Sequence, residues 1–254
     1  MLRTRIIPCL LLKNGRLVKT IKFKNPSYVG DPVNAIRIYN EKEVDDLVLV
    51  DIGATVDGTG IPMGVIGRVA SECFMPLTYG GGIRTLDEVQ RILAAGVEKI
   101  AVNSAAVEDP EFIARAAALV GSSSMVVSID VRRRRLRRGY EVCARSGTVR
   151  TGIDPAVFAR RMQELGAGEL LLNSIDRDGT MSGYDIDLVR QVTSAVSVPV
   201  IACGGAGRVE DFGAAVKQGG ASAAAAGSLV VYQGPHRAVL INFPTRQELD
   251  RVLN

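Results

Sequence analysis

The chain repeats itself at about half its length, and this repeat limits the possible folds more than any other feature. Gly80-Gly81-Gly82-Ile83-Arg84 resembles Gly204-Gly205-Ala206-Gly207-Arg208, an offset of 124 residues in a chain of 254. In each copy a helical pattern, a glycine and an apolar strand follow, and the strand ends at Asn103-Ser104 or Gly227-Ser228. A repeat of this length predicts two similar, fused halves.

Short apolar strands alternate with helical patterns along the whole chain, which favours a parallel sheet covered by helices. Eight such units in about 250 residues predict an α/β protein, a single (β/α)8 TIM barrel built from half-barrels of about 1–124 and 125–254. A doubly wound sheet is the alternative, but no G-x-G-x-x-G motif follows the first strand. The predicted strands are Arg5–Leu12, Asp46–Asp51, Met75–Tyr79, Lys99–Asn103, Met125–Asp130, Glu169–Asn173, Val200–Cys203 and Ala221–Gly227. The helical patterns include Thr85–Ala95, Asp109–Leu119, Pro155–Leu165, Asp185–Val196 and Val209–Gln218.

Composition excludes several classes of function. The only histidine is His236, and the four cysteines form no C-x-x-C pair, which excludes a histidine-rich metal site and a zinc or disulfide framework. We therefore expect no metal and no cofactor. Apolar runs are far shorter than the roughly 20 residues that span a bilayer. Since residues 1–5 also lack a signal-peptide pattern, we expect a cytoplasmic protein that does not bind membranes.

The formal net charge of +4 comes from one segment, because Arg132–Arg138 alone supplies six positive charges. The run lies between two strand-like segments and contains no aromatic residues, so we predict a solvated hairpin and no nucleic-acid binding. Docking of an acidic partner is the alternative for this run.

Glycines end the third strand of each half, and a small polar pair ends the fourth. Glycines let backbone N–H groups approach an anion closely, and barrel enzymes commonly bind phosphate at such loops. We therefore predict two anion sites, which suit a substrate that is phosphorylated at both ends. The alternative is that the glycines only form tight turns. The predicted contacts are Gly82, Asn103 and Ser104 in the first half, and Gly204, Gly205, Gly227 and Ser228 in the second.

Carboxylates at strand ends are the candidates for acid–base chemistry. Asp130 ends the fifth strand, and we predict that it is catalytic, because a carboxyl group at a barrel mouth can act as general acid or base. Asp178 and Gly179 follow the sixth strand and are predicted substrate contacts, whereas Asp51 is predicted to anchor substrate or its loop. The alternative for each aspartate is helix capping or loop ordering.

About nine-tenths of the chain resembles the cyclase subunit of imidazole glycerol phosphate synthase, HisF. The resemblance rests on the segments RIIPCL, LVLVDIGA, YGGGIR, KIAVNSAAVEDP, VVSID, GAGELLLNSIDRDGTMSGYD and IACGGAG. It implies a duplicated barrel and a bisphosphorylated substrate. It also implies a HisH-like glutaminase, forming a heterodimer at the N-terminal face, whose ammonia passes through the barrel. Arg5, Asp46, Lys99 and Glu169 match the charged ring at the family's channel entrance.

The chain departs from this family at its first strand. The resemblance implies two opposed catalytic aspartates, of which one matches Asp130, and the other should stand in C-L-D-V-K-D-G. This chain has Leu11 at that position, and leucine carries no proton to transfer. General acid–base catalysis contributes roughly 10²–10⁴-fold, so we expect cyclisation to be severely impaired. The neighbouring segment Arg16–Phe23 keeps the family's loop lysine but has Thr20 where glycine is usual, which puts closure of that loop in doubt.

The segment Gly234–Thr245 resembles a HisF-type paralogue group associated with bacterial surface polysaccharides. That resemblance implies a subunit that supplies ammonia to a separate sugar amidotransferase for acetamidino-sugar synthesis. The alternatives are the histidine-pathway cyclase, which yields imidazole glycerol phosphate and aminoimidazole carboxamide ribotide, and a non-catalytic scaffold that activates the glutaminase.

Overall fold

A computed structural model describes residues 3–135 and 138–254, so Met1, Leu2, Leu136 and Arg137 lie outside the described residues. The strands are β1 (Arg5–Lys13), β2 (Arg16–Ile21), β3 (Lys24–Gly30), β4 (Leu47–Asp51), β5 (Leu77–Gly80), β6 (Lys99–Val102), β7 (Met125–Arg133), β8 (Tyr140–Ala144), β9 (Val149–Arg150), β10 (Glu169–Ser174), β11 (Val200–Cys203), β12 (Ala223–Ala226), β13 (Tyr232–Gln233) and β14 (Ala238–Val239). The helices are α1 (Pro32–Glu41), α2 (Met63–Glu72), α3 (Leu86–Ala94), α4 (Ser104–Glu108), α5 (Glu111–Val120), α6 (Pro155–Glu164), α7 (Ile186–Thr193), α8 (Glu210–Gly213) and α9 (Arg246–Leu253).

Eight parallel strands close into a barrel in the order β1, β4, β5, β6, β7, β10, β11 and β12. Closure is made by β12 against β1 and by β10 against β7, where Asn173 lies opposite Asp130. Helices follow the barrel strands along the chain. The predicted (β/α)8 fold is therefore confirmed.

Alternation along the strands separates two apolar regions. On β1, Ile7 and Cys9 point into the barrel and belong to a small interior cluster with residues such as Val126 and Leu171. Their neighbours Ile6 and Leu10 belong to the larger core beneath the helices. Because side chains alternate across a strand, residues of odd number on β1 line the barrel from bottom to top.

Matched local structures support the division into two halves. Asp31 and Asp154 each cap a helix that begins with proline, and each carboxylate accepts bonds from the N–H groups two and three residues later. In this Asp-Pro arrangement the carboxylate accepts hydrogen bonds from unpaired N–H groups of the first helical turn. The proline already has the φ angle that the first helical residue needs. Gly81 and Gly205 have φ of +111° and +118°. We infer that the half-barrels share one backbone plan, in line with the sequence repeat.

Each half also carries an antiparallel extension after its first strand. β2 and β3 follow β1, and β8 and β9 follow β7. The apolar alternation of β3 is weak and most of its side chains are exposed, which explains why no strand was expected at Lys24–Gly30. A third hairpin, β13–β14, follows the last barrel strand.

The described arginines of the run lie in or beside the β7–β8 hairpin as predicted, and Arg133, Arg135 and Arg138 are exposed, but two of the run's arginines also make specific contacts. Arg133 donates from Nη2 to Asp185 Oδ2 at 3.0 Å and lies over the Tyr140 ring, with its Cζ 5.0 Å from the ring centroid. Arg134 donates to the backbone oxygens of Tyr140 and Gly152. Arg133 and Arg134 therefore tie the hairpin to the barrel rim.

The other predicted bounds differ from the observed ones by at most three residues, with one exception, the last predicted helix. The helix expected at Asp109–Leu119 corresponds to α5, and the short helix α4 that precedes it was not predicted. The last predicted helix, Val209–Gln218, begins as α8 and continues as a π-helical turn. Within the described ranges, no helix is long and apolar enough to cross a membrane.

We predict that Gly205→Ala destabilises the protein by roughly 2–4 kcal/mol. Gly205 has a positive φ, and a Cβ there would collide with the backbone oxygen of Gly183. Gly64→Ala is the matched control, because nothing lies within 4 Å of its added Cβ in α2, and it should stabilise by about 0.5–1 kcal/mol. Urea unfolding of both variants measures the difference, and equal effects would contradict the steric explanation.

Candidate active site

A cavity of about 240 Å³ opens at the C-terminal mouth of the barrel. The tips of the β2–β3 and β8–β9 hairpins meet above it. Their closeness is shown by Gly147, on which an added Cβ would lie only 3.2 Å from Phe23 Cδ2. Ser146 donates to the backbone oxygen of Ile52, which fixes the second hairpin over the mouth. The cavity is thus partly roofed, and roofing excludes water from the groups beneath it.

Asp130 lies under this roof at the inward face of β7 and is 8% exposed. In the described part of the chain its carboxylate takes part in one hydrogen bond, which is long: Ser128 Oγ lies 3.5 Å from Asp130 Oδ1. Burial, and after it the nearby charge of Asp178, raises the pKa of Asp130 to about 7, against the opposing effect of the hydrogen bond with Ser128. A carboxyl group with this pKa can both donate and accept a proton near neutral pH, as a general acid–base group must.

Leu11 stands at the corresponding place on β1, four strands away from β7 in either direction around the barrel. Its side chain is 8% exposed and pairs in register with Val50 and Val18 on the neighbouring strands. The mouth therefore has a carboxyl group on one side and a hydrocarbon on the opposite side.

Asp178 holds the β2–β3 hairpin rather than standing free. Its Oδ2 accepts bonds from Thr20 Oγ1 at 2.8 Å and from the backbone N–H of Phe23 at 3.3 Å. Its backbone oxygen accepts from the N–H of Lys22 at 2.9 Å. Thr20, which stands where the family usually has glycine, thus bonds Asp178 and ties the β2–β3 hairpin to the loop after β10.

The second-half residues surround a small cavity of about 20 Å³ beside the larger one. The predicted residues there are Asp178, Gly179, Gly204, Gly205, Gly227 and Ser228. Lys19 and Asn173 line the same space. Asn173 was not predicted as a site residue, because it lies in an apolar strand and belongs to no recognisable motif. Its inward position follows only from the barrel register.

The first-half residues line the larger cavity, but their polar groups have partners. Asn103 Nδ2 donates to the backbone oxygens of Ser128 and Cys143, and Ser104 Oγ accepts from the N–H of Arg145 at 3.0 Å. The N–H of Gly82 donates to a threonine hydroxyl at 3.2 Å. Asp51, the expected loop anchor, accepts the N–H groups of the second and third residues after it.

A ring of four charged side chains closes the opposite, N-terminal end of the barrel. Arg5 bonds Asp46 at 2.8 Å and also pairs with Glu169, and Lys99 Nζ lies 2.9 Å from the second Glu169 oxygen. Asp46 and Glu169 are almost fully buried. Burial raises the pKa of Asp46, against the opposing effect of the cations. The structure thus brings together all four residues of the predicted ring.

Between ring and mouth, the barrel interior is apolar. Small side chains such as Ala101, Ala223 and Ala225 lie among the larger ones. Among the described residues, no group of three or more His, Cys, Asp or Glu side chains could hold a metal ion. His236 lies in the turn between β13 and β14, away from the residues that line either cavity.

The fold and site define a (β/α)8-barrel protein with its candidate active site at the C-terminal mouth. The chain belongs to the family described as "Histidine biosynthesis protein", which matches residues 5–236. It is 50% identical over 248 residues to a protein of Leptospira interrogans that carries the subunit name HisF, covering 98% of each chain. It is 51% identical to a Pseudomonas aeruginosa protein named hisF2 over 98% of this chain and 99% of the relative. The "Imidazole glycerol phosphate synthase subunit HisF" of Hyphomonas neptunium is 48% identical over 90% of each chain. The chain is thus a HisF-like member of the family.

We predict that Asp130→Asn stabilises the protein at alkaline pH. Because the pKa of Asp130 is raised from 3.8 to about 7, the folded state holds a proton that the unfolded state releases, and stability falls as pH rises through this window. The variant removes this loss, with a gain of about 1–4 kcal/mol at pH above 7 and almost none below pH 4. Urea unfolding across this range measures the gain. A gain independent of pH would contradict the explanation.

We predict that Glu169→Gln destabilises the protein. The free energy of unfolding should fall by roughly 2–4 kcal/mol, because Arg5 and Lys99 lose the buried carboxylate with which both are paired. Asp87→Asn is the control, since its pair with Arg91 is exposed and such pairs contribute about 0–1 kcal/mol. Thermal unfolding compares the two variants, and a loss for Glu169→Gln no larger than the control's would contradict a structural role for the ring.

Proposed function

We propose that this chain is a synthase-type subunit that receives ammonia from a partner glutaminase through its barrel. Three features support this proposal: a charged ring at one end, an apolar interior, and a roofed cavity with an acid–base carboxyl group at the other end. Neutral ammonia can cross an apolar interior, whereas ammonium would lose its hydration there at high cost. The names of relatives, which are those of synthase subunits, point to the same kind of protein.

The ring is the proposed entrance, which assigns the glutaminase to the N-terminal face. Arg5, Asp46, Lys99 and Glu169 carry two positive and two negative charges that compensate one another. Compensation lets charged groups border the interior without an uncancelled charge that would attract ions. We expect a heterodimer with this partner.

Leu11 carries the finer part of the proposal. Leu11 faces Asp130 across the mouth, so the site lacks the second carboxylate that cyclisation in the family uses. We therefore infer that the ammonia is delivered to a different acceptor. The proposed acceptor reaction is amidation of a surface-polysaccharide sugar by a separate amidotransferase. Asp130 remains the proposed catalytic group. The second-half glycines, Ser228 and Asp178 are proposed phosphate contacts, and Gly82, Asn103 and Ser104 are proposed substrate contacts in the larger cavity.

The second candidate function is the imidazole glycerol phosphate cyclase of histidine biosynthesis. It is favoured by the strong similarity to the Hyphomonas neptunium protein and by a remaining carboxylate, Asp178, near Asp130. However, Asp178 Oδ2 accepts two hydrogen bonds from the β2–β3 hairpin, which engages that oxygen in a structural contact.

We predict that the unmodified chain does not rescue a cyclase-deficient histidine auxotroph, and that Leu11→Asp does. The variant restores a carboxylate opposite Asp130, and general acid–base catalysis is expected to return roughly 10²–10⁴-fold in rate. Growth without histidine on ammonium-rich medium measures rescue independently of any glutaminase. Leu11→Asn, of nearly the same shape but without an ionisable group, is the control and should not rescue. Rescue by the unmodified chain would overturn the paralogue proposal in favour of the histidine-pathway cyclase.

A further inference from the structure

Two arginines at the tip of the β7–β8 hairpin are exposed to solvent. In the described ranges, the side chains of Arg135 and Arg138 take part in no hydrogen bond and no ion pair. They belong to the run that supplies six positive charges, a feature of the sequence that the proposed function does not use. Arginine is enriched in protein interfaces, because its guanidinium group binds a carboxylate through two parallel hydrogen bonds.

The base of this hairpin is held in place, so its tip is presented in a defined position. The N–H of Arg133 donates to Asp176 Oδ2 at 2.8 Å, and its guanidinium group donates to Asp185. Asp185 also accepts from the hydroxyl group of Tyr140 at 2.8 Å. Binding through a preorganised element loses less conformational entropy than binding through a flexible one.

The acidic residues beside the run are already paired at this base. Asp185 and Glu141 are buried, and their cationic partners are Arg133 and Arg150. Among the described residues, neither carboxylate pairs with an arginine of the tip. The tip of the hairpin therefore carries positive charge that the chain leaves uncompensated.

Positive charge is also present on the β2–β3 hairpin, which follows the strand opposite β7 in the barrel. Lys22 and Lys24 are exposed at its turn, and neither forms an ion pair in the described part of the chain. A molecule that approaches the mouth meets cations on both sides of the opening. This arrangement favours a partner with an acidic surface.

Exposed apolar side chains are concentrated at the same end of the barrel. Of the nine large apolar side chains that are exposed among the described residues, six lie on the hairpins and the loop around the mouth. These six are Ile21, Tyr28, Val56, Val149, Val239 and Leu240. The hairpin that carries Val239 is joined to the β2–β3 hairpin by a 3.0 Å hydrogen bond between the hydroxyl groups of Tyr232 and Ser27. Single exposed apolar residues are normal on a protein surface, but their concentration on one face indicates an interaction surface.

Apolar side chains and cations together indicate a protein partner. A nucleic acid would use the charge of the tip but not the aliphatic side chains, and the run contains no aromatic residue on which a base could stack. A second copy of this chain is disfavoured, because a two-fold contact through this face would bring Arg135 and Arg138 near their own counterparts. Like charges facing each other across an interface repel.

The proposed function identifies which protein would cover this face. Ammonia that leaves the mouth into water is mostly protonated at neutral pH, and ammonium has no electron pair with which to attack an acceptor. An enzyme that uses this ammonia must therefore close over the mouth before the ammonia reaches bulk solvent. The opposite end, at the charged ring, is assigned to the glutaminase.

We propose that the C-terminal mouth is the docking surface for the separate amidotransferase. An acidic surface of that enzyme contacts Arg135 and Arg138, and apolar groups inside this acidic border cover the exposed side chains around the opening. This inference rests on the proposed function, and it adds the face on which that partner binds and the chemistry by which it is recognised.

Binding of the purified sugar amidotransferase of the same organism to the full chain tests the proposal. We expect a Kd in the micromolar range or below, weakened by added salt. The double variant Arg135→Glu with Arg138→Glu should weaken binding by about tenfold or more, because acidic groups would then face acidic groups. Arg68→Glu with Arg160→Glu is the matched control. It changes the net charge equally at exposed positions of α2 and α6, and it should weaken binding by less than about threefold. Equal losses would overturn the proposal, as would absence of binding by the unmodified chain.

A pair of valine variants tests the apolar part of the surface. Val149 and Val157 are 44% and 53% exposed, but only Val149 lies at the mouth. Val149→Ser should weaken binding by about three- to tenfold, and Val157→Ser by less than about twofold. Thermal unfolding should show both variants folded, with melting temperatures within a few degrees of the unmodified chain. Equal effects of the two variants on binding would contradict an apolar contact at the mouth.

Two other probes separate a protein partner from other acidic surfaces. A DNA duplex and vesicles containing phosphatidylserine should bind more weakly than the amidotransferase at physiological salt. Tighter binding of either probe, lost in the Arg135→Glu, Arg138→Glu variant, would overturn the proposal in favour of a nucleic acid or a membrane.

The glutaminase provides the last control. It should bind together with the amidotransferase, because the two partners are assigned to opposite ends of the barrel, and displacement of one by the other would overturn the proposal. The binding measurements involve neither cyclisation nor growth. Their failure beside an unchanged auxotroph result would therefore refute the docking surface alone, whereas rescue of the auxotroph by the unmodified chain would refute the proposed function itself.

Discussion

Closure of the eight-stranded barrel is the constraint on which the rest of the structure depends. Once β10 pairs with β7 and β12 with β1, each strand has one face inside and one face under the helices. The inward residues of β1 then follow one another from Arg5 in the charged ring, through Ile7 and Cys9 in the apolar interior, to Leu11 at the mouth. The order of residues along each strand therefore decides which side chains lie in the charged ring at one end of the barrel and which lie at the mouth.

Polar groups are distributed unequally between the two halves of the barrel. Both halves use the same turn at Gly81 and Gly205 and the same kind of hairpin after the first strand. One half holds the buried carboxyl group at Asp130, and the other has Leu11 there. The Lys19 cation lies on the hairpin of the first half but reaches the cavity of the second. A repeat in sequence therefore sets the positions of functional groups, while single substitutions decide what each position does.

Most of the fold could be predicted from the sequence, because apolar runs and glycine loops are local signals. The barrel strands and the helix start at Pro155 follow from the apolar pattern, whereas the ring of Arg5, Asp46, Lys99 and Glu169 was implied by the resemblance to HisF. Strand β3 could not be predicted, since it is an exposed edge without an apolar face. The partners of Asp178 could not be predicted either, nor could the burial of Asn173 Oδ1 without a hydrogen-bond partner among the described residues. Both depend on contacts between segments more than 100 residues apart or on the exact packing of the barrel mouth.

The bond between Thr20 and Asp178 links two events that would otherwise be independent. The β2–β3 hairpin turns through Lys22 and Phe23, two residues other than glycine with φ of 53° and 62°, a conformation that costs free energy unless contacts hold it. Those contacts are made by Asp178. Any movement of the hairpin away from Asp178 would break these contacts together, so that the turn would lose its support and the carboxylate its donors at the same moment. The conformation of the β2–β3 turn above the mouth and the hydrogen-bonded state of the Asp178 carboxylate are therefore coupled.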